Sequence, residues 1–272
     1  MTTECLPMVN ASREQYNMGE EITVHSIDDS QRKAARAVGF AYLFGFIGVF
    51  NEIYVRDSLI VTGNPGATAR NVMAHEQLFR LGIFTDLLCF ASIAVVLTGS
   101  YLVLRQVNRG LALLAASWRL LEASTAMVMT LSGFYVLRVL SYPDFSRIFS
   151  PDQVQTLARL YLGARGADYN VAEIFLGLGS TVFAYLWFKS RYVPRALAAW
   201  GIFASLLVAV CTFAIILFPN IQDFSFPWAY LPIAVFELTM GFWLSIKGLP
   251  PSEGIKSRGY TDASDSSKAP GA

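Results

Sequence analysis

Six apolar stretches run through the sequence, at approximately residues 37–53, 79–104, 111–137, 171–188, 196–218 and 229–246. A helix needs about 20 apolar residues to cross the hydrocarbon core of a bilayer. The first, fourth and sixth stretches are short and need flanking aromatic and turn residues to complete a crossing. The sequence therefore predicts an all-α integral membrane bundle of six transmembrane helices, with short amphipathic helices in the outer loops.

The composition is typical of a membrane protein. Of the 272 residues, 54% are hydrophobic and only 15% are charged, against about 25% charged residues in soluble domains. The mean hydropathy is +0.44. The formal net charge is +1, so no basic excess suggests a nucleic-acid partner. We expect membrane lipids as partners, and no nucleic acid.

Both ends of the chain are polar. The first 36 residues lack the basic start and apolar core that a signal peptide needs. Residues 250–272 are rich in Ser, Gly, Pro and charged residues. These compositions predict disordered tails at 1–34 and 250–272 around a transmembrane domain at 35–249. The three cysteines lie too far apart in sequence for a disulfide framework or a zinc motif, so we expect no metal and no other cofactor.

Lysine and arginine are concentrated in alternate connections between the apolar stretches. They precede the first stretch, lie between the second and third and between the fourth and fifth, and follow the sixth, whereas residues 219–227 contain none. Two long outer segments also carry arginines, but long loops count for less in the positive-inside rule. The rule therefore predicts that both termini are cytoplasmic.

The two long outer segments contain helix signals. Residues 64–66 form an Asn-Pro-Gly turn signal, and residues 68–78 continue without a helix breaker into the second apolar stretch. Residues 150–153, Ser-Pro-Asp-Gln, combine an N-cap, a proline at the first helical position and a glutamine three residues after the cap. Apolar residues then recur at helical spacing, which predicts a capped amphipathic helix that lies on the outer surface or covers the bundle.

Four segments carry a family resemblance. They are residues 32–43 (RKAARAVGFAYL), 78–88 (LFRLGIFTDLL), 111–122, which ends in Trp-Arg-Leu-Leu-Glu, and 241–248 (GFWLSIKG). In order and spacing they resemble a family of bacterial membrane proteins, the domain-of-unknown-function 4386 family, over roughly residues 32–248. The resemblance implies a multi-helix integral membrane protein. It brings no established activity, so it assigns no catalytic residue.

Arg119 and Glu122 interrupt the third apolar stretch near its middle. A charged side chain near the bilayer centre costs about 2.5–3.5 kcal/mol on insertion scales, so such a side chain faces protein or trapped water. Residues three positions apart lie on one helix face and can pair. The two residues therefore predict a polar interior within the bundle.

Further ionisable residues lie within or beside the apolar stretches. Glu76 and Arg80 are four residues apart and can pair. Acidic residues outnumber basic ones, and an unpaired buried acid is costly unless it is protonated, hydrated or bound to a cation. We therefore predict an outward-opening polar pocket with its floor at Arg119 and Glu122. Its candidate ligand-binding residues are Glu52, His75, Glu76, Arg80, Asp86, Arg119, Glu122, Glu173 and Glu237.

Three functions are compatible with such a pocket. The first is the binding, with or without translocation, of a small polar or amphipathic ligand, in which Arg119 would meet an anionic group and the acids would accept protons or cations. The second is an intramembrane enzyme acting on a lipid-like substrate, with His75 and either Glu76 or Asp86 as acid and base. The third is a non-catalytic scaffold or sensor whose ion pairs only specify packing. We expect the first, in a multi-pass protein of the cell inner membrane.

Overall fold

The computed structural model describes residues 28–61 and 64–250, and all regular secondary structure in these ranges is helical. The predicted tails therefore lie mostly outside the described residues. The first helix begins at Asp29, earlier than the predicted domain start at residue 35. Asp28 explains this start, because it forms a capping box with Gln31, whose side-chain Oε1 accepts a hydrogen bond from the Asp28 backbone N at 3.1 Å.

Seven helices organise the fold. They are α1 (Asp29–Gly45), α2 (Pro65–Ala74), α3 (Glu76–Leu104), α4 (Arg109–Ser141), α5 (Pro151–Ser190), α6 (Arg195–Leu217) and α7 (Gln222–Ile246). Shorter helical segments lie in the connections, at Ile47–Phe50, Asn51–Arg56, Asp57–Leu59, Pro143–Ile148 and Pro219–Ile221. The segment Asn51–Arg56 is a π-helix, a form that occurs mostly as short insertions in longer helices.

Four helices of the described chain, α3 to α6, are long and apolar enough to cross a membrane. The predicted sixth stretch corresponds to the shorter apolar part of α7, Tyr230–Ile246. The predicted first stretch is not a single α-helix, because α1 ends at Gly45 and the chain then continues through Ile47–Phe50 into the π-helix. The apolar helices show a membrane-embedded protein.

The predicted amphipathic helix and the fourth predicted span are one continuous helix, α5. The prediction of a separate helix was wrong because no proline interrupts the chain between Pro151 and Pro194 and because α5 packs against α4. The predicted cap is present, with the Ser150 backbone N donating to Gln153 Oε1 at 2.9 Å. α5 has 40 residues, so it is about 60 Å long at 1.5 Å per residue, roughly twice the thickness of the hydrocarbon core.

The helix before the second predicted span is interrupted where the sequence predicts continuity. The sequence predicts a turn at Asn64, and in the structure Asn64 also caps α2, because its Oδ1 accepts a hydrogen bond from Ala67 N at 2.9 Å. His75 then has φ −125° and ψ 44°, outside the helical range, and separates α2 from α3. No proline or glycine marks this break.

The long helices form a closed ring in the order α1, α3, α4, α5, α6, α7 and back to α1. Glycines allow close approach at two neighbouring interfaces. A Cβ atom at Gly177 of α5 would lie 2.7 Å from the backbone N of Ala209 in α6, and one at Gly179 would lie 2.9 Å from Arg119 Cγ in α4. Large apolar side chains such as Phe203 and Val210 are exposed on the outside of the ring, where a lipid environment would contact them.

An apolar core lies at one end of the ring. The charge pattern predicts that this end faces outward, and we call it the outer end. Its buried members are Val55, Leu59, Val72, Phe79, Ile83, Val136 and Leu137. Tyr161 and Leu162 of α5 pack against it. The first half of α5 therefore contacts the bundle at its outer end.

We expect Gly179→Ala to lower the free energy of unfolding by about 1–3 kcal/mol, because the added methyl group overpacks the α4–α5 interface. The matched control is Gly163→Ala in the same helix, where an added Cβ meets nothing within 4 Å. That variant should be neutral or more stable by up to about 1 kcal/mol. Chemical unfolding of the purified proteins in detergent, followed by circular dichroism, measures both, and equal effects would contradict the packing interpretation.

Candidate functional site

Arg119 is enclosed by protein. Its relative exposure is 3%, and that of Glu122 is also 3%. Arg119 Nη1 lies 2.8 Å from Glu122 Oε2, and it donates a hydrogen bond to Ser180 Oγ of α5 at 3.3 Å. The pair that the spacing in α4 predicts is thus present, and the charge faces the interior of the bundle.

Residues from four helices interact around Arg119. Electrostatic interactions join it to Tyr42 in α1, Glu173 in α5 and Glu237 in α7, in addition to Glu122. Because α1 and α7 do not flank α4 in the ring, the interactions with Tyr42 and Glu237 cross the ring interior. We use the name central cluster for Tyr42, Arg119, Glu122, Glu173, Ser180 and Glu237.

Acidic groups are in excess in the central cluster. It contains three glutamates and one arginine. Among the described residues, the ion pair in this cluster joins Arg119 to Glu122, and Glu173 and Glu237 have no basic side chain within ion-pair distance. Glu173 is buried and accepts a hydrogen bond from the side chain of Tyr169. Two of the three acids therefore have no paired cation among the described residues.

Asp86 lies in α3 beside the irregular continuation of α1. It is buried and accepts a hydrogen bond from the side-chain amide of Asn51, the first residue of the π-helix. A Cβ atom at Gly82 would lie 2.6 Å from Asn51 Oδ1, so the absence of a side chain at Gly82 makes room for this contact. The side chain of Glu52, another predicted site residue, lies outside the described residues.

The remaining predicted residues lie at the outer end. Arg80 Nη2 pairs with Glu76 Oε1 at 2.7 Å, and Ser141 Oγ donates to Glu76 Oε2 at 3.1 Å. His75 is exposed. Glu76 and Asp86 are ten residues apart in α3, which corresponds to about 15 Å along the helix. Of the described candidates, the structure thus places His75, Glu76 and Arg80 at the outer end and Asp86 beside Asn51. It places Arg119, Glu122, Glu173 and Glu237 in the central cluster, and it does not bring His75 to Asp86.

A cavity of about 280 Å³ lies at the outer end, between α2 and the ends of α4 and α5. Its lining includes Ile60, Thr68, Leu140 and Leu162, and it includes none of the nine predicted site residues. This cavity is therefore not the predicted polar pocket, which remains a prediction. Among the described residues, no three His, Cys, Asp or Glu side chains are grouped so as to hold a metal ion.

Sequence analysis did not predict two polar residues of the central cluster, Ser180 and Tyr42, and it did not predict the contact of Tyr230 with α6. Ser180 lies seven residues after Glu173, which is about two helical turns, so this spacing could have placed both on one face. Tyr42 belongs to an interior stripe of α1 with the buried residues Val38 and Gly39. Tyr230 resembles an interfacial anchor in sequence, but its hydroxyl lies 3.4 Å from Thr212 Oγ1 of α6.

An all-helical bundle with an apolar exterior and an enclosed charged cluster defines an integral membrane protein. Residues 37–248 match the family described as Domain of unknown function (DUF4386), which confirms the resemblance seen in the sequence. The chain belongs to this family. No curated protein and no solved structure matches the chain.

We expect Arg119→Leu to lower the free energy of unfolding by about 3–5 kcal/mol, because it leaves the buried Glu122 carboxylate without its partner. The double variant Arg119→Leu, Glu122→Leu should recover most of this loss, since apolar residues can replace a buried pair at little cost. The exposed pair of Arg80 and Glu76 supplies the control. Arg80→Leu should change the free energy of unfolding by less than about 1 kcal/mol. Unfolding in detergent measures all three, and equal loss in the single and double variants would contradict the pairing argument.

Proposed function

We propose that this membrane protein binds a small polar ligand that carries a positive charge, and that the central cluster is its binding site. The observation that carries the proposal is the presence of Glu122, Glu173 and Glu237 around Arg119 in a protein interior. A positively charged ligand is a narrower class than the small polar or amphipathic ligand that the sequence predicts. Arg119 is already paired with Glu122, so the acids that lack a paired cation define the chemistry.

Charge balance provides the physical reason. If all three glutamates were ionised, Arg119 would neutralise one of them and two negative charges would remain. Uncompensated charge is costly inside a membrane protein, so these acids require protons or a cation. A site held neutral by protons can exchange them for a cationic ligand. Binding should therefore release protons and should weaken as the pH is lowered.

We further propose that the chain crosses the cell inner membrane six times, with both termini in the cytoplasm and with ligand access from the outer side. The closed ring supports six crossings, because α1 and α7 occupy positions in it equivalent to those of α3 to α6. The first crossing would combine α1 with the helical segments that follow it as far as Leu59. Outer access is supported by Glu173, which lies about 10 Å from Ser180 towards the outer end of α5.

Cysteine labelling tests this topology. In a variant with the three native cysteines replaced by serine, Asn220→Cys should react with a membrane-impermeant maleimide in intact cells. Gln106→Cys should react only after the membrane is permeabilised. Both positions are exposed, so their reactivity depends on the side of the membrane. Labelling of residue 106 in intact cells would contradict the proposed orientation.

Cation binding tests the proposed function. The full-length protein, purified in detergent, would be titrated with sodium, potassium, ammonium and methylammonium chloride at constant ionic strength. We expect at least one of these cations to bind saturably, to raise the unfolding temperature and to release protons detected by a pH indicator. Glu173→Gln and Glu237→Gln should each weaken binding about tenfold or more, because each removes a charge-assisted contact.

Glu76→Gln is the matched control, because Glu76 belongs to the exposed pair at the outer end. It should leave cation affinity within about twofold of the unsubstituted protein. Absence of binding by every cation, or equal effects of Glu76→Gln and Glu237→Gln, would contradict the proposed function. That result would favour a scaffold in which the cluster only specifies helix packing.

A further inference from the structure

Two tyrosines meet on the outer side of Glu173. Tyr169 precedes Glu173 by one turn of α5, and Tyr230 lies on α7. Their ring centroids are 6.2 Å apart, and the ring planes diverge by 42°. The contact spans from α5 to α7 across the inner side of α6, because Tyr230 also approaches Thr212 of α6, with the two hydroxyl oxygens 3.4 Å apart.

Both tyrosine side chains interact with the carboxyl group of Glu173. The side chain of Tyr169 donates a hydrogen bond to it, and Tyr230 interacts with it electrostatically. Glu173 is buried and has no basic side chain within ion-pair distance among the described residues. The Glu173 carboxyl group therefore has two tyrosines as neighbours.

This combination of groups favours an organic cation over a metal ion. A hard metal ion needs several oxygen ligands at about 2.0–2.6 Å, and the described residues contain no suitable group of three acids, histidines or cysteines. Aromatic faces attract cations, and aromatic residues around a carboxylate recognise methylated ammonium groups. The aromatic contribution is larger at desolvated sites than at exposed ones.

We propose that Glu173, Tyr169 and Tyr230 bind the alkylammonium group of an organic ligand. The carboxylate balances the positive charge, and the two rings contact the N-alkyl groups. This inference rests on the proposed function, because it identifies the chemical class of the cationic ligand and its position on the outer side of the central cluster.

The test uses two probes of nearly the same shape. Choline carries a trimethylammonium group, and 3,3-dimethyl-1-butanol is its uncharged carbon analogue. Calorimetric titration of the full-length protein in detergent should show saturable choline binding, at least tenfold tighter than the binding of sodium and of the neutral analogue. This comparison on the unsubstituted protein needs no variant to fold.

Substitutions at the two tyrosines then separate the contribution of the aromatic ring to binding from that of the hydroxyl group. Tyr169→Leu and Tyr230→Leu should each weaken choline binding about tenfold, because each removes an aromatic face. Tyr169→Phe keeps the ring, so its choline affinity should remain within about threefold of that of the unsubstituted protein. Tyr161→Leu is the matched control, since Tyr161 belongs to another tyrosine pair, with its ring centroid 5.2 Å from that of Tyr135. It should leave choline affinity unchanged.

The outcomes distinguish this inference from the proposed function. If methylammonium or sodium binds in a Glu173-dependent manner while choline binds no more tightly than its neutral analogue, the alkylammonium site is overturned and the proposed function stands. Unchanged choline affinity in both folded leucine variants also overturns it. If no cation binds, the proposed function itself fails, and this inference fails with it.

Discussion

The positive charge of Arg119 must be kept out of contact with hydrocarbon, and the arrangement of the helices around it follows from this constraint. α4 supplies both Arg119 and its partner Glu122, so one helix contains the pair. α5 then covers the arginine at close range. Gly179 leaves room for the aliphatic part of Arg119, and Ser180 accepts a hydrogen bond from the guanidinium.

The burial of the Arg119–Glu122 pair does not explain why two further acids lie in the same interior. A buried ion pair adds little net stability compared with apolar packing, and Arg119 with Glu122 already forms such a pair. Glu173 and Glu237 enter the same interior from α5 and α7, where each adds a charge that must be neutralised. This excess is the reason to regard the central cluster as a binding site and not only as a packing element. In the proposed site, the tyrosines beside Glu173 would add a preference for an alkylammonium cation.

The outer end depends on different interactions. α5 is long enough to extend well beyond a bilayer core, and its first half packs against an apolar core formed with the segments around Val55 and Val72. Phe79 and Ile83 of α3 belong to that core and lie along α3 between the exposed pair at Glu76 and the buried Asp86. The ionisable residues of α3 are therefore divided by apolar packing. For this reason Glu76 and Arg80 are separated from Asp86, although the sequence predicts one pocket for all three.

The sequence by itself determined the helical membrane class, the pairing of Arg119 with Glu122, the turn at Asn64 and the cap at Ser150. Each depends on residues within one or two helical turns or on the free energy of transfer to a bilayer, both of which can be inferred from local composition and spacing. The closed ring, the meeting of Tyr42, Glu173 and Glu237 around Arg119, and the separation of His75 from Asp86 were decided only by the tertiary structure. These depend on which helices are neighbours and on their rotation about their own axes. Small residues such as Gly177 and Gly179 permit this packing, but their positions in the sequence do not identify the helix they will face.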